Sequence, residues 1–150
     1  MANSYGTATK LGNVNSISNA AYSSQIGSTI DLGAAPPHEV LMSLVGVTPN
    51  TSATAGATMA IYVSGSLDNS SFSDAPADAW TALNARFVGA VTFTGNTNAH
   101  SSAQFAVSPA FGGALPRYLK VYVYNGSGAA TSSGTGSGVN ELWYQTETFG

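Results

Sequence analysis

A chain of 150 residues with four basic and seven acidic side chains and a net charge of −3 has no basic cluster, which makes nucleic acid a poor partner, because phosphate neutralisation needs several cations on one face. Without cysteine it cannot form disulfides, thiolate metal sites or a cysteine nucleophile. Its seven Tyr, six Phe and two Trp argue against disorder outside the loops, and the 7% of charged residues leaves a surface built of Ser, Thr, Asn, Gly and Ala around the core of one domain.

The N-terminus, Met1 to Thr7, has neither a basic start nor an apolar run, so no signal peptide is readable. No stretch approaches the roughly 20 apolar residues of a membrane helix, so a membrane partner is not expected. The expectation is a protein made and kept in the cytoplasm of its producer unless it leaves inside a larger particle.

Residues 1 to 13 are polar, contain Gly and show no period; they read as a flexible arm that orders against a neighbour, with the folded domain running from 14 to 150. Val14 to Ile17 and Ile26 to Leu32 are short β-compatible runs, the second halted by Pro36 and Pro37. Val40 to Val47 is nearly continuous in apolar residues. After a loop, Met59, Ile61 and Val63 alternate with Ala60, Tyr62 and Ser64, so an antiparallel pair of these two strands is expected. The loop from Gly65 to Asp78 is pinned by Leu67 and Phe72, and Trp80 and Leu83 follow. From Arg86 to Phe93, the set Phe87, Gly89, Val91 and Phe93 alternates with Val88, Ala90 and Thr92, and Phe105 and Val107 mark a further run.

The clearest strand spans residues 116 to 124, where Leu119, Val121 and Val123 occupy one parity and Tyr118, Lys120, Tyr122 and Tyr124 the other. The aliphatic face belongs in a core; the tyrosines belong on a second surface, half wet or covered by another subunit. Asn125-Gly126 ends the strand. Gly126 to Gly138 has no large side chain and predicts a mobile hairpin loop, returning through Val139 to Thr146, with Leu142 and Tyr144 on one face and Trp143 on the other, to pair with 117 to 124. About seven or eight short strands with no long amphipathic helix predict an all-β, single-domain antiparallel β-sandwich, jelly-roll or immunoglobulin-like.

Three groups of residues are candidates for chemistry. The loop containing Asp68, Asn69, Ser70, Ser71 and Asp74, with Asp78 beyond it, is oxygen-rich, but Phe72 stands where a third calcium ligand belongs and no Glu closes the loop; Asx and Ser turns account for the same residues. His38 and His100 have no motif around them, and no Gly-x-Ser-x-Gly elbow supports a hydrolase. The aromatic set Tyr118, Tyr122, Tyr124 and Trp143, joined by Tyr5 in the arm, offers flat rings that serve as core, as a protein interface or as a stacking surface for sugars.

The block Ala57 to Asp74, with Ile61-Tyr62-Val63-Ser64-Gly65-Ser66-Leu67-Asp68 and then Phe72, resembles small virion structural proteins of tailed bacteriophages, as does Leu115-Pro116-Arg117-Tyr118-Leu119-Lys120-Val121 followed by Asn125. That resemblance implies a non-enzymatic capsid decoration (cement) protein, or a tail or fibre part. It implies residence in the virion after synthesis in the host cytoplasm, contact with the major capsid protein or other virion proteins, self-association for which a trimer is one closed arrangement, and no cofactor. A tail- or fibre-associated carbohydrate-binding module is the alternative, and an esterase-like enzyme would need a site the sequence does not display. The failed ligand spacing around Asp68 gives a direct expectation: EDTA leaves the thermal midpoint unchanged, whereas a fall of several degrees reversed by calcium would mark the loop as a metal site.

Overall fold

The computed structural model describes residues 2–72, 85–134 and 136–150; Asp74, Asp78, Trp80 and Leu83 lie outside the described residues. Among the described residues ten strands form: β1 (Ser4–Tyr5), β2 (Thr9–Asn13), β3 (Ala21–Tyr22), β4 (Ile30–Asp31), β5 (Glu39–Val45), β6 (Thr58–Ser66), β7 (Arg86–Thr92), β8 (Phe105–Ala106), β9 (Tyr118–Asn125) and β10 (Glu141–Thr148), with a 3-10 turn at Ser108–Phe111. All pairings are antiparallel, in two five-stranded sheets that make a β-sandwich.

The strand order identifies the kind of sandwich. β1 and β2 pair with successive stretches of β10 as one interrupted edge, and β3 and β4 do the same along β9. The first sheet then reads β1/β2, β10, β5, β8 and the second β3/β4, β9, β6, β7. After β2 the chain changes sheet at every connection except β3–β4, which stays on the edge along β9, and the β6–β7 hairpin. Eight strand positions in this order are a jelly roll, which removes the immunoglobulin-like alternative.

Two expected hairpins therefore do not form. β5 pairs with β10 and β8, not with β6, and β9 pairs with β6, β3 and β4, not with β10. Alternation sets which face of a strand is buried but carries no information on its partner, and the connections 46–57 and 126–140 are long enough to cross from one sheet to the other. The segment expected as an arm is seated on its own chain: Ser4–Tyr5 and Thr9–Asn13 complete the edge of the first sheet, where the backbone of β10 supplies hydrogen bonds that the apolar-poor side chains cannot replace.

The core lies between the sheets. Val40, Met42 and Leu44 from β5 and Leu142 from β10 face Met59, Ile61 and Val63 from β6 and Leu119, Val121 and Val123 from β9, all fully buried. Val14 and Ile17 belong to this core from a loop, not from a strand. Leu67, expected to pin its loop, is 80% exposed; Phe72 instead lies under the ammonium of Lys120, 4.1 Å from its ring centroid.

The Gly- and Ser-rich connection is the largest departure from expectation, because the backbone of residues 126–132 is bonded to the neighbouring loops. Asn125, fully buried at the end of β9, donates both amide hydrogens, to the carbonyls of Ile17 and Ala129, and accepts the Ser127 N–H. Thr131 accepts the Ile17 N–H at 2.8 Å and donates to the Val14 carbonyl at 2.7 Å. Asn140 accepts the Thr48 N–H and donates to the carbonyl and hydroxyl of Ser132. Backbone bonds from Asn50 to Ala130, Thr54 to Ser127 and Ser132 to Thr48 join the same connection to the β5–β6 loop. Composition without apolar side chains predicts mobility only when the backbone groups turn to water, and here they turn to buried side chains. Gly46 permits this packing: at φ +61 a Cβ would stand 1.8 Å from the Gly138 carbonyl oxygen.

Thr131→Val keeps the shape but leaves a buried N–H and a buried carbonyl without partners, so a loss of about 2 kcal/mol or more is expected. Denaturant titration checks it: the midpoint should fall with the slope unchanged. An unchanged midpoint would mean that water replaces the hydroxyl at no cost.

Candidate interaction face

Alternation along β9 places Tyr118, Lys120, Tyr122 and Tyr124 on the outer face of the second sheet. Register brings Tyr22 opposite Tyr124 and Tyr62 opposite Tyr122, and a cluster of rings results. The Tyr22 ring lies 4.9 Å from Tyr124 and 5.5 Å from Tyr62, and Tyr62 makes an edge contact with Phe87 at 5.9 Å. These separations are those at which edge-to-face pairs attract.

The cluster grades from buried to open. Tyr122 is 5% exposed, and desolvation pushes its phenol above the usual range. Tyr22, Tyr62 and Tyr124 are half-buried; burial, and then the neighbouring Tyr62, raises the Tyr22 phenol. Phe87 is 56% exposed. At the other end of β9, Tyr118 is half-buried beneath the guanidinium of Arg117, 4.8 Å from its centroid, and Arg117 is held by Asp31 at 3.0 Å.

Of the sequence-selected set, the structure therefore brings together Tyr118, Tyr122 and Tyr124 and separates Tyr5 and Trp143, which belong to the first sheet. Tyr5 is exposed on β1 opposite Glu147. Trp143 is half-buried on the outer face of β10, where its indole N–H donates to Glu141 at 2.7 Å while Lys10 donates to the other carboxylate oxygen at 2.8 Å. Tyr22, Tyr62 and Phe87 were not selected. Tyr62 had a readable signal, as the one large side chain on the polar parity of β6. Phe87 had none, because a register shift between Ile61 and Tyr62 sets Gly89 opposite Ile61 but Phe87 opposite Tyr62, turning the ring outward.

The remaining candidates do not converge. Asp68 accepts the N–H groups of Ser70 and Ser71 and the hydroxyl of Ser66, which hold its carboxyl far below the usual range, so its oxygens serve the turn. His38 stacks on Phe149 and accepts its N–H, whereas His100 bonds Thr94 beyond the opposite end of β5. Among the described residues no cluster of three or more His, Asp or Glu is arranged for a metal ion, and no helix is long and apolar enough to cross a membrane. No protein-family model, curated protein or solved structure matches this chain.

Two outcomes test this description. Tyr122→Ala should cost about 3 kcal/mol, as large-to-small changes at buried aromatic sites do, while Phe87→Ala should stay within about 0.5 kcal/mol; equal losses would show that Phe87 is as deeply packed as Tyr122. The Glu141 carboxyl is held below its ordinary 4.5 by the Lys10 hydrogen bond and then by that of Trp143. Its contribution is thus present above that value and lost as pH falls through the lower folded value. The stability gap between wild type and Glu141→Gln, read from urea midpoints, should be constant near neutrality and narrow below about pH 4.5; a gap that persists into acid would contradict the assignment.

Proposed function

We propose that this chain is a non-enzymatic virion structural protein, a capsid decoration protein that binds and stabilises a phage shell, and that the outer aromatic face of the second sheet makes the contact. The observation that carries the reading is the ordering of that face: Tyr22 packs edge-on against Tyr62 and tilted against Tyr124 before any partner arrives, and Phe87 stands 56% exposed at the margin. Rings already fixed lose little side-chain freedom on association, and aromatic anchors supply most of the energy of protein interfaces. In a chain with only 7% charged residues, little desolvation cost is added around them.

The sequence resemblance to tailed-phage virion proteins points the same way, and jelly rolls are frequent among capsid domains, although the fold alone assigns no function. The partner on this reading is the major capsid protein or another virion protein. Closed self-association, a trimer being one form, matches the symmetry axes of a shell, and the protein resides in the virion after synthesis in the host cytoplasm.

Co-sedimentation with undecorated shells tests the reading. The full chain should pellet with shells at saturating stoichiometry, and Phe87→Ser should lower the affinity by about tenfold or more while its melting temperature is unchanged. Failure of the full chain to pellet with any shell or tail of its own particle would overturn the proposal and leave a carbohydrate-binding module as the better reading.

A further inference from the structure

The sandwich has two ends of different character. The buried amides close one. At the other, a cleft of about 450 Å³ opens between the last residues of β6, the first of β7 and the β8–β9 connection. That volume lies within the range of small-molecule sites.

The walls are apolar and already formed. Leu67, Phe111 and Pro116 line the cleft, and Gly65 lets the backbone of β6 pack directly on the two rings: a Cβ there would stand 2.5 Å from Pro116 Cγ and 2.8 Å from Phe111 Cε1. Among the described residues, one cation and one anion also line it. Asp68 is occupied by the hydroxyl of Ser66 and the N–H groups of Ser70 and Ser71. Arg86 donates from one Nη to the Ala110 carbonyl at 2.9 Å, and its guanidinium carbon lies 5.4 Å from the centroid of Phe111. Among the described residues, Lys10 and Arg117 each have a carboxylate partner and Arg86 has none.

A guanidinium oriented by one backbone bond and by an aromatic ring, with further N–H groups uncommitted among the described residues and apolar walls beside it, matches a carboxylate carried on an apolar body. The planar fork donates to two carboxylate oxygens at once, and such charge-assisted bonds are stronger than neutral ones. We propose that this cleft binds small aryl- or alkyl-carboxylic acids, with the carboxylate on Arg86 and the hydrocarbon against Phe111, Pro116 and Leu67. The site is separate from the aromatic face and does not depend on the shell-binding role.

Titration of the ¹⁵N-labelled full chain with 3-phenylpropionate at neutral pH tests it. Saturable shifts are expected at the amides of Ser66, Arg86 and Phe111, with the neutral 3-phenylpropanamide weaker by about tenfold or more. Arg86→Met should abolish the effect. Should that variant fail to fold, Leu67→Asp decides: Leu67 is 80% exposed, so the change spares the fold but sets a negative charge at the cleft and should weaken binding several-fold. Equal binding of acid and amide, shifts elsewhere on the sandwich, no saturation by about 10 mM, or undiminished binding by folded variants would each overturn the proposal. Binding of an acidic peptide but not of the small acid would overturn it as well.

Discussion

Hydrogen bonds from three buried side chains, Asn125, Thr131 and Asn140, hold together the end of the sandwich where the chain passes repeatedly between sheets. A jelly roll places its long connections outside the strand ladders, so their backbone groups need partners that the sheets do not supply. Here Asn125 and Asn140 each use both amide hydrogens and the carbonyl oxygen, and the partners lie in the β2–β3, β5–β6 and β9–β10 connections. A chain with few charges and no cysteine has neither ion-pair networks nor disulfides for this task, and short polar side chains with complete hydrogen bonding take their place.

The consequence reaches the aromatic face through β9. Its inner residues Leu119, Val121 and Val123 are fully buried, its last residue Asn125 is the hub of the polar network, and its outer residues carry the tyrosines. A strand fixed on one face by the core and at one end by amides presents its other face with little freedom. That is the property a contact surface needs if association is not to be offset by ordering costs. The opposite end is built differently, from Phe111, Pro116 and a guanidinium, and is open where the first is closed.

How much of this was legible follows from what each signal encodes. Period-two alternation at Leu119, Val121 and Val123 reports burial, and the core contains these residues as read; the sandwich class follows from many such runs. Pairing was not legible, because the apolar run of β5 and the alternation of β6 are compatible with a hairpin as well as with opposite sheets. The sheet on which Trp143 and Tyr5 stand was hidden for the same reason. The outward direction of Phe87 depends on a single bulge that alternation does not display, and the connection 126–138 was misread from composition, since Gly and Ser describe what a loop lacks and not what its backbone meets. Asn125 was read as a turn former. Its buried role depends on Ile17, more than one hundred residues earlier in the chain, which no local pattern connects to it.

Native-state hydrogen exchange resolved by residue tests the central claim most directly. The amides of Ile17, Thr48, Ser127 and Thr131, each bonded into the network, should exchange as slowly as the amide of Val123 in β9, through the same global opening. Exchange of these four at open-chain rates while Val123 stays protected would show that the Gly- and Ser-rich connection moves independently of the sandwich, contradicting the account.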